Sequence, residues 1–109
     1  MANIYRNAKV DLTTTDNTTL YTSPSNSRAI IKNILVSDDS GSGDSINVTL
    51  TDASAAVFSL FKTKTIGSNA TTELITQPIV LQESEILKAQ ATTAGRLHIV
   101  VSLLEINRD

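Results

Sequence analysis

Residues able to do chemistry are few in this chain, and the densest group is Asp38-Asp39-Ser40-Gly41-Ser42-Gly43-Asp44-Ser45. A calcium ion takes roughly six to eight oxygen ligands, and an Asp-rich loop with glycine at its turn supplies such oxygens. The spacing does not match an EF-hand loop, and no distal glutamate completes one. Asp and Gly are also the residues that a hairpin turn demands. The loop therefore has two readings, a turn and a weak cation site. His98 is the single histidine and lies between Leu97 and Ile99. Acid–base or metal chemistry needs partners of defined geometry, and its sequence neighbours offer none. A packed or interface histidine is the plainer reading, and at a subunit contact its titration makes assembly sensitive to pH. Glu83 and Glu85 are two residues apart on a turn. A glycosidase pair needs a cleft and a defined carboxyl separation, which that spacing does not supply. No G-x-S-x-G motif and no phosphate loop is present. Asn17-Thr18-Thr19, Asn47-Val48-Thr49 and Asn69-Ala70-Thr71 match the glycosylation pattern, as a threonine-rich chain does by chance.

Composition narrows the function classes further. The chain has 109 residues, the length of one domain. A chain of this size buries roughly 65% of its unfolded surface, enough for one modest core. Two Phe, two Tyr and no Trp make that core aliphatic. The net charge is −2 and there is no basic block, so no electrostatic footprint for phosphate exists. The tyrosines are not interleaved with cationic clusters, which argues against stacking on single-stranded nucleic acid. There are no cysteines, which removes disulfides and thiolate metal sites. The start, Met1 to Arg6, lacks the apolar region of a signal peptide, and no run is long enough for a membrane-crossing helix. Synthesis in a cytoplasm and a soluble product are the expectations. No cofactor, nucleic acid or membrane partner is expected.

The elements that would position any site are short strands. Ile4 to Leu12 alternates loosely and reads as a strand or an extended arm. Thr18 to Thr22, Arg28 to Asp38, Ile46 to Thr51, Ala55 to Lys62, Thr71 to Thr76, Ile79 to Leu81, Ile86 to Ala91 and Arg96 to Ile106 read as further strands. Turn signals separate them about every 8–12 residues, the pattern of an antiparallel sandwich or barrel. Pro24 ends pairing in one loop, and Pro78 opens a segment expected at an edge.

Two strands carry more apolar surface than one core requires. Alternate residues of a strand face opposite sides. In Arg96 to Ile106, one face carries Leu97, Ile99, Val101 and Leu103, and the other carries His98, Val100, Ser102, Leu104 and Ile106. In Arg28 to Asp38, strict alternation groups Ile30, Ile34 and Val36 with Lys32, and Ile31 and Leu35 with Asn33. A domain this small has one core to give them, so the second faces read as an association surface, with burial inside the domain as the alternative.

The segments IYRNAKVDLTTTDNTTLYT (Ile4 to Thr22), Pro24 followed by RAIIKNILVSDDSGSG (Arg28 to Gly43), VFSLFKTK (Val57 to Lys64), LQESEILKAQA (Leu81 to Ala91) and VVSLLEI (Val100 to Ile106) carry a resemblance. Together they span nearly the whole chain, which resembles small virion structural proteins of tailed bacteriophages, particularly marine and cyanobacterial ones. The resemblance implies a structural role without catalytic residues.

The expected fold is all-β: a compact antiparallel β-sandwich, jelly-roll-like or immunoglobulin-like, with about seven to nine short strands. One domain spans residues 1–109, with 1–12 as a possible extended N-terminal arm. Its polar, loose pattern suits a segment that orders on assembly. The expected function is a capsid decoration or cement protein. A tail, neck or fibre-attachment component is the alternative, and a carbohydrate-binding module the reading from another class. Expected partners are other virion subunits and further copies of this chain. The residues expected at the contact are Val100, Leu104 and Ile106 from the last strand, Ile31 and Leu35 from the second long strand, and Ile4 and Tyr5 from the N-terminal segment.

Overall fold

The innermost pairing of the fold is a hairpin between two strands in the middle of the chain. The computed structural model describes residues 2–75 and 77–107. Its strands are β1 (Ala2–Leu12), β2 (Thr18–Thr22), β3 (Ser27–Asp38), β4 (Asp44–Thr51), β5 (Val57–Ile66), β6 (Thr71–Glu73), β7 (Ile79–Leu81), β8 (Ile86–Ala91) and β9 (Leu97–Asn107). β4 pairs with β5, β3 with both β6 and β7, β2 with β8, and β1 with β9, all antiparallel. The chain is thus a long ribbon folded back on itself. Rolling the ribbon sets β9 beside β3 and β8 beside β4. Two sheets result, ordered β1-β9-β3-β6 with β7 also on β3, and β2-β8-β4-β5. This is the jelly-roll arrangement of two facing sheets. It excludes the immunoglobulin-like option, which groups its strands differently.

The two long two-faced strands turn out to be neighbours. β9 sits between β1 and β3 at the centre of the first sheet. Its inner residues Leu97, Ile99, Val101 and Leu103 are buried. They meet Ile46, Val48, Leu87 and Ala89 of the second sheet in one aliphatic core. Fully burying such a side chain stabilises the fold by roughly 1.5–3 kcal/mol.

Strict alternation fails in β3. The β3–β9 register shifts between Ile31 and Asn33, so one extra residue is accommodated there as a bulge. Ala29 and Ile31 point inward before it, and Ile34 and Val36 point inward after it. Ile31, expected at a contact surface, is instead fully buried in the core. Ile30 takes the outward position. The neighbouring edge breaks at the same level. β6 pairs with Leu35 to Ser37 and β7 with Ala29 to Ile31. Between them Leu74 and Ile75 leave the strand and bury inward, with the Leu74 N–H donating to the Ile34 carbonyl. The expected strand Thr71 to Thr76 is therefore shorter, and Thr76 lies outside the described residues.

The N-terminal segment is an integral strand. β1 pairs with β9 from Ala2 opposite Asn107 to Leu12 opposite Leu97 without a shift. Met1, the first residue of the proposed arm, lies outside the described residues.

A polar tie joins the sheets at one end. Glu105 points inward from β9 and is nearly buried. The Tyr21 hydroxyl donates to its carboxylate from the other sheet, and Arg6 Nε lies 3.4 Å from it. Burial, followed by this hydrogen bond, pushes the Tyr21 phenol well above its usual range.

Candidate interaction surface

The outward face of the first sheet is built in rows that cross its strands. Tyr5 on β1 stands opposite Leu104 on β9, which stands opposite Ile30 on β3, which stands opposite Val80 on β7. A second row runs Lys9, Val100, Leu35 and Glu73. Between them lies a polar row, Asn7, Ser102 and Asn33. Tyr5 is 76% exposed, Val80 55%, Val100 38% and Leu35 37%. Leu104, Ile30 and Ile106 are half-buried. The Lys32 ammonium lies 6.0 Å from the centre of the Tyr5 ring, the outer limit of a cation–π contact.

The opposite face of the sandwich differs. The outward residues of the second sheet include Asn47, Thr49 and Thr51 on β4, Lys88 and Gln90 on β8, and Ser59 on β5. Val57 and Ile86 are its apolar members at one end, and exposed Phe58 lies next to Val57 on edge strand β5. The larger set of outward apolar side chains thus lies on the first sheet, in two rows separated by a polar one. An exposed contiguous apolar patch marks an interaction site.

Five of the expected contact residues fall on this face or its margin. Tyr5, Leu35, Val100, Leu104 and Ile106 share it. Ile4 stands on the other side of β1, half-buried and opposite Glu105. Ile30 and Val80 belong to the patch and were missed by alternation. The bulge hid Ile30, while the wholly apolar run Ile79 to Leu81 after Pro78 was the available signal for Val80.

The candidate chemical residues do structural work. Asp38 Oδ1 accepts from the Ser40 N–H and hydroxyl, and its Oδ2 accepts from the N–H groups of Gly43 and Asn69. The Ser40 hydroxyl bond is the largest cause holding this carboxyl far below the usual carboxylate range. Desolvation opposes it, and the three backbone N–H donors reinforce it. Gly43 has φ 73°, and a Cβ there would meet the Ile66 carbonyl oxygen at 3.1 Å. Asp39 faces His98 Nδ1 at 3.6 Å, while Asp44 accepts from the Thr93 N–H. The three carboxylates of the loop therefore serve three separate partners. Among the described residues, no group of three or more His, Cys, Asp or Glu is arranged to hold a metal ion.

His98 is outward on β9, with Nε2 3.2 Å from Asp11 Oδ1. It ends the apolar face between the carboxylates of Asp11 and Asp39. Glu85 closes its own turn by accepting from the Gln82 N–H. Asn47 accepts from the Thr63 N–H, which helps hold Thr63 at φ 63° in β5.

The topology and this face define an antiparallel jelly-roll domain with one apolar outer sheet. Comparison with solved structures agrees on the fold. A subunit of Bacillus endospore appendages, which form disulfide-linked pili, is similar with a TM-score of 0.58 at 8% identity, over 98% of this chain and 89% of that one. A chain of infectious bursal disease virus, Gx strain, is similar with a TM-score of 0.52 at 11% identity, over 95% of this chain but 31% of that one. A capsid structure of a Helicobacter pylori bacteriophage gives 0.48 at 12% identity, over 99% and 95% of the two chains. At these identities the likeness to the first two is one of fold alone. No protein-family model matches the chain, and no curated protein matches it in sequence.

Proposed function

We propose that this chain is a structural protein of a bacteriophage particle, a decoration or cement subunit that docks on the shell through the outward face of its first sheet. The observation that carries the reading is the asymmetry of the sandwich. One outer face bears the Tyr5–Leu104–Ile30–Val80 row and the Val100–Leu35 pair, and the other is largely polar. A monomer working alone gains nothing from exposing that face. The jelly-roll fold and the resemblance to tailed-phage virion proteins both suit such a role. Repeated docking of many copies adds avidity to weak single contacts.

Two exposed aromatics speak against carbohydrate binding. Tyr5 lies on the outward face of the first sheet and Phe58 on edge strand β5 of the second. They form no shared platform.

Counting copies per particle tests the assignment and separates it from a tail, neck or fibre-attachment role. A shell decoration is expected at copy numbers on the order of hundreds, set by the symmetry of the shell. Copy numbers on the order of ten contradict it and point to the tail or neck.

A further inference from the structure

A sheet edge is a template for another strand, and folded proteins block it with short strands, bulges, proline or lysine. This sandwich has its edges at β1, β2, β5 and the β6/β7 pair. β2 has five residues and a register shift between Thr19 and Tyr21. β5 carries two register shifts against β4, a left-handed Thr63, and Lys62 and Lys64. β6 and β7 have three residues each, with Pro78 between them. β1 carries the cations Arg6 and Lys9 but none of the backbone devices. It runs eleven residues, keeps unbroken register with β9, contains no proline, and among the described residues pairs with β9 alone.

We propose that a second copy of this chain occupies the free edge of β1, the two β1 strands pairing antiparallel about a two-fold axis at Asn7. The partner is identified by self-complementarity. Asn7 is the midpoint of Ala2–Leu12, so this register pairs the whole strand with its mate. It sets Tyr5 opposite Lys9 of the second copy, and Ile4 opposite Val10. The first pair joins an aromatic ring to a cation, and the second extends the core-side apolar surface across the seam. The charges on β1 act as register selectors. Centring the pair on Arg6 or on Lys9 places each cation against its own mate, which is destabilising. The Asn7 register avoids every such clash. It also makes the outward faces continuous, since the row through Tyr5 meets the row through Lys9 of the second copy. This self-contact goes beyond docking on a shell and stands whether or not that docking is correct.

Sedimentation of the full chain tests it. The protein is expected to dimerise. Asn7 is exposed, so Asn7→Lys and Asn7→Glu leave the core intact, as circular dichroism would verify. Each puts like charges on the axis and is expected to weaken the dimer roughly fivefold or more. An equal mixture of the two variants is expected to recover it. The chain has no cysteine, which gives a second readout independent of the charge variants. Asn7→Cys is expected to oxidise to a linked dimer, because antiparallel partners lie within disulfide reach. Lys9→Cys is not, because its mate would stand four residues along the strand, about 13 Å away. A single-copy wild-type chain, charge variants that dimerise as tightly as wild type, or Lys9→Cys linking as readily as Asn7→Cys would each overturn the proposal.

Discussion

Leu104 on β9 stands directly opposite Ile30 on β3, and this pair is the middle of the row that runs from Tyr5 to Val80 across the outward face of the first sheet. The residue next to Ile30 in sequence, Ile31, is fully buried on the other side. One strand thus feeds both the core and the exposed face.

That division predicts opposite outcomes for two similar truncations in β3. Ile31→Ala removes a fully buried side chain and is expected to cost about 2–5 kcal/mol. Leu35→Ala trims a side chain that is 37% exposed and is expected to cost under about 1.5 kcal/mol. Urea unfolding of the two variants checks this. Equal costs would mean that the bulge does not set the two residues on opposite faces.

Much of this architecture was legible in the sequence. β2, β7 and β8 have the boundaries that turn residues and apolar alternation suggest, and β9 is displaced by one residue. Alternation is local, however, and a bulge changes it by one step. Nothing in Arg28 to Asp38 announces the shift at Lys32, because apolar side chains fall on both faces of the strand in either register. Nor does the pattern say that β3 and β9 are adjacent. That adjacency arises from rolling the ribbon, and it turns two separate surpluses of apolar side chains into a single face. In β5, Thr63 adopts a left-handed conformation that no β-branched residue advertises, held in part by Asn47 from the neighbouring strand.

The inter-sheet tie gives a second prediction. Tyr21→Phe deletes the hydroxyl that donates to the nearly buried Glu105 carboxylate. The expected loss is roughly 1–3 kcal/mol at neutral pH. The Tyr21 phenol is raised in the folded state. Its contribution is therefore complete below about pH 10, the ordinary tyrosine value, and is lost as pH rises through the folded value. Stability measured by denaturant from pH 7 to pH 11 should show the gap between wild type and Tyr21→Phe narrowing only above about pH 10. A gap that stays constant there would show that the phenol is not held neutral by the fold.

The Asp38 loop gives the matching prediction in acid. Its carboxyl is held low by the Ser40 hydroxyl and the surrounding N–H groups. Such a group stabilises the fold above its unfolded value, about pH 4, and loses that effect as pH falls through the folded value. Asp38→Asn should therefore be less stable than wild type at pH 7, with the difference shrinking as pH drops below about 4. Parallel unfolding curves at pH 7, 4 and 2 read this directly. A difference unchanged by acid would show that the negative charge does not organise the loop.

The claim that the first sheet's outward face docks on a particle is tested most directly by incorporation. Leu104→Asp places a charge in the middle of that face, and Ser59→Asp places one on the outward face of the second sheet. Both variants should remain folded by circular dichroism. Quantitative mass spectrometry of purified particles is expected to find Ser59→Asp at wild-type copy number and Leu104→Asp reduced to about a tenth or less, the effect of about 1.4 kcal/mol or more per contact. Incorporation of folded Leu104→Asp at the wild-type level would contradict the account.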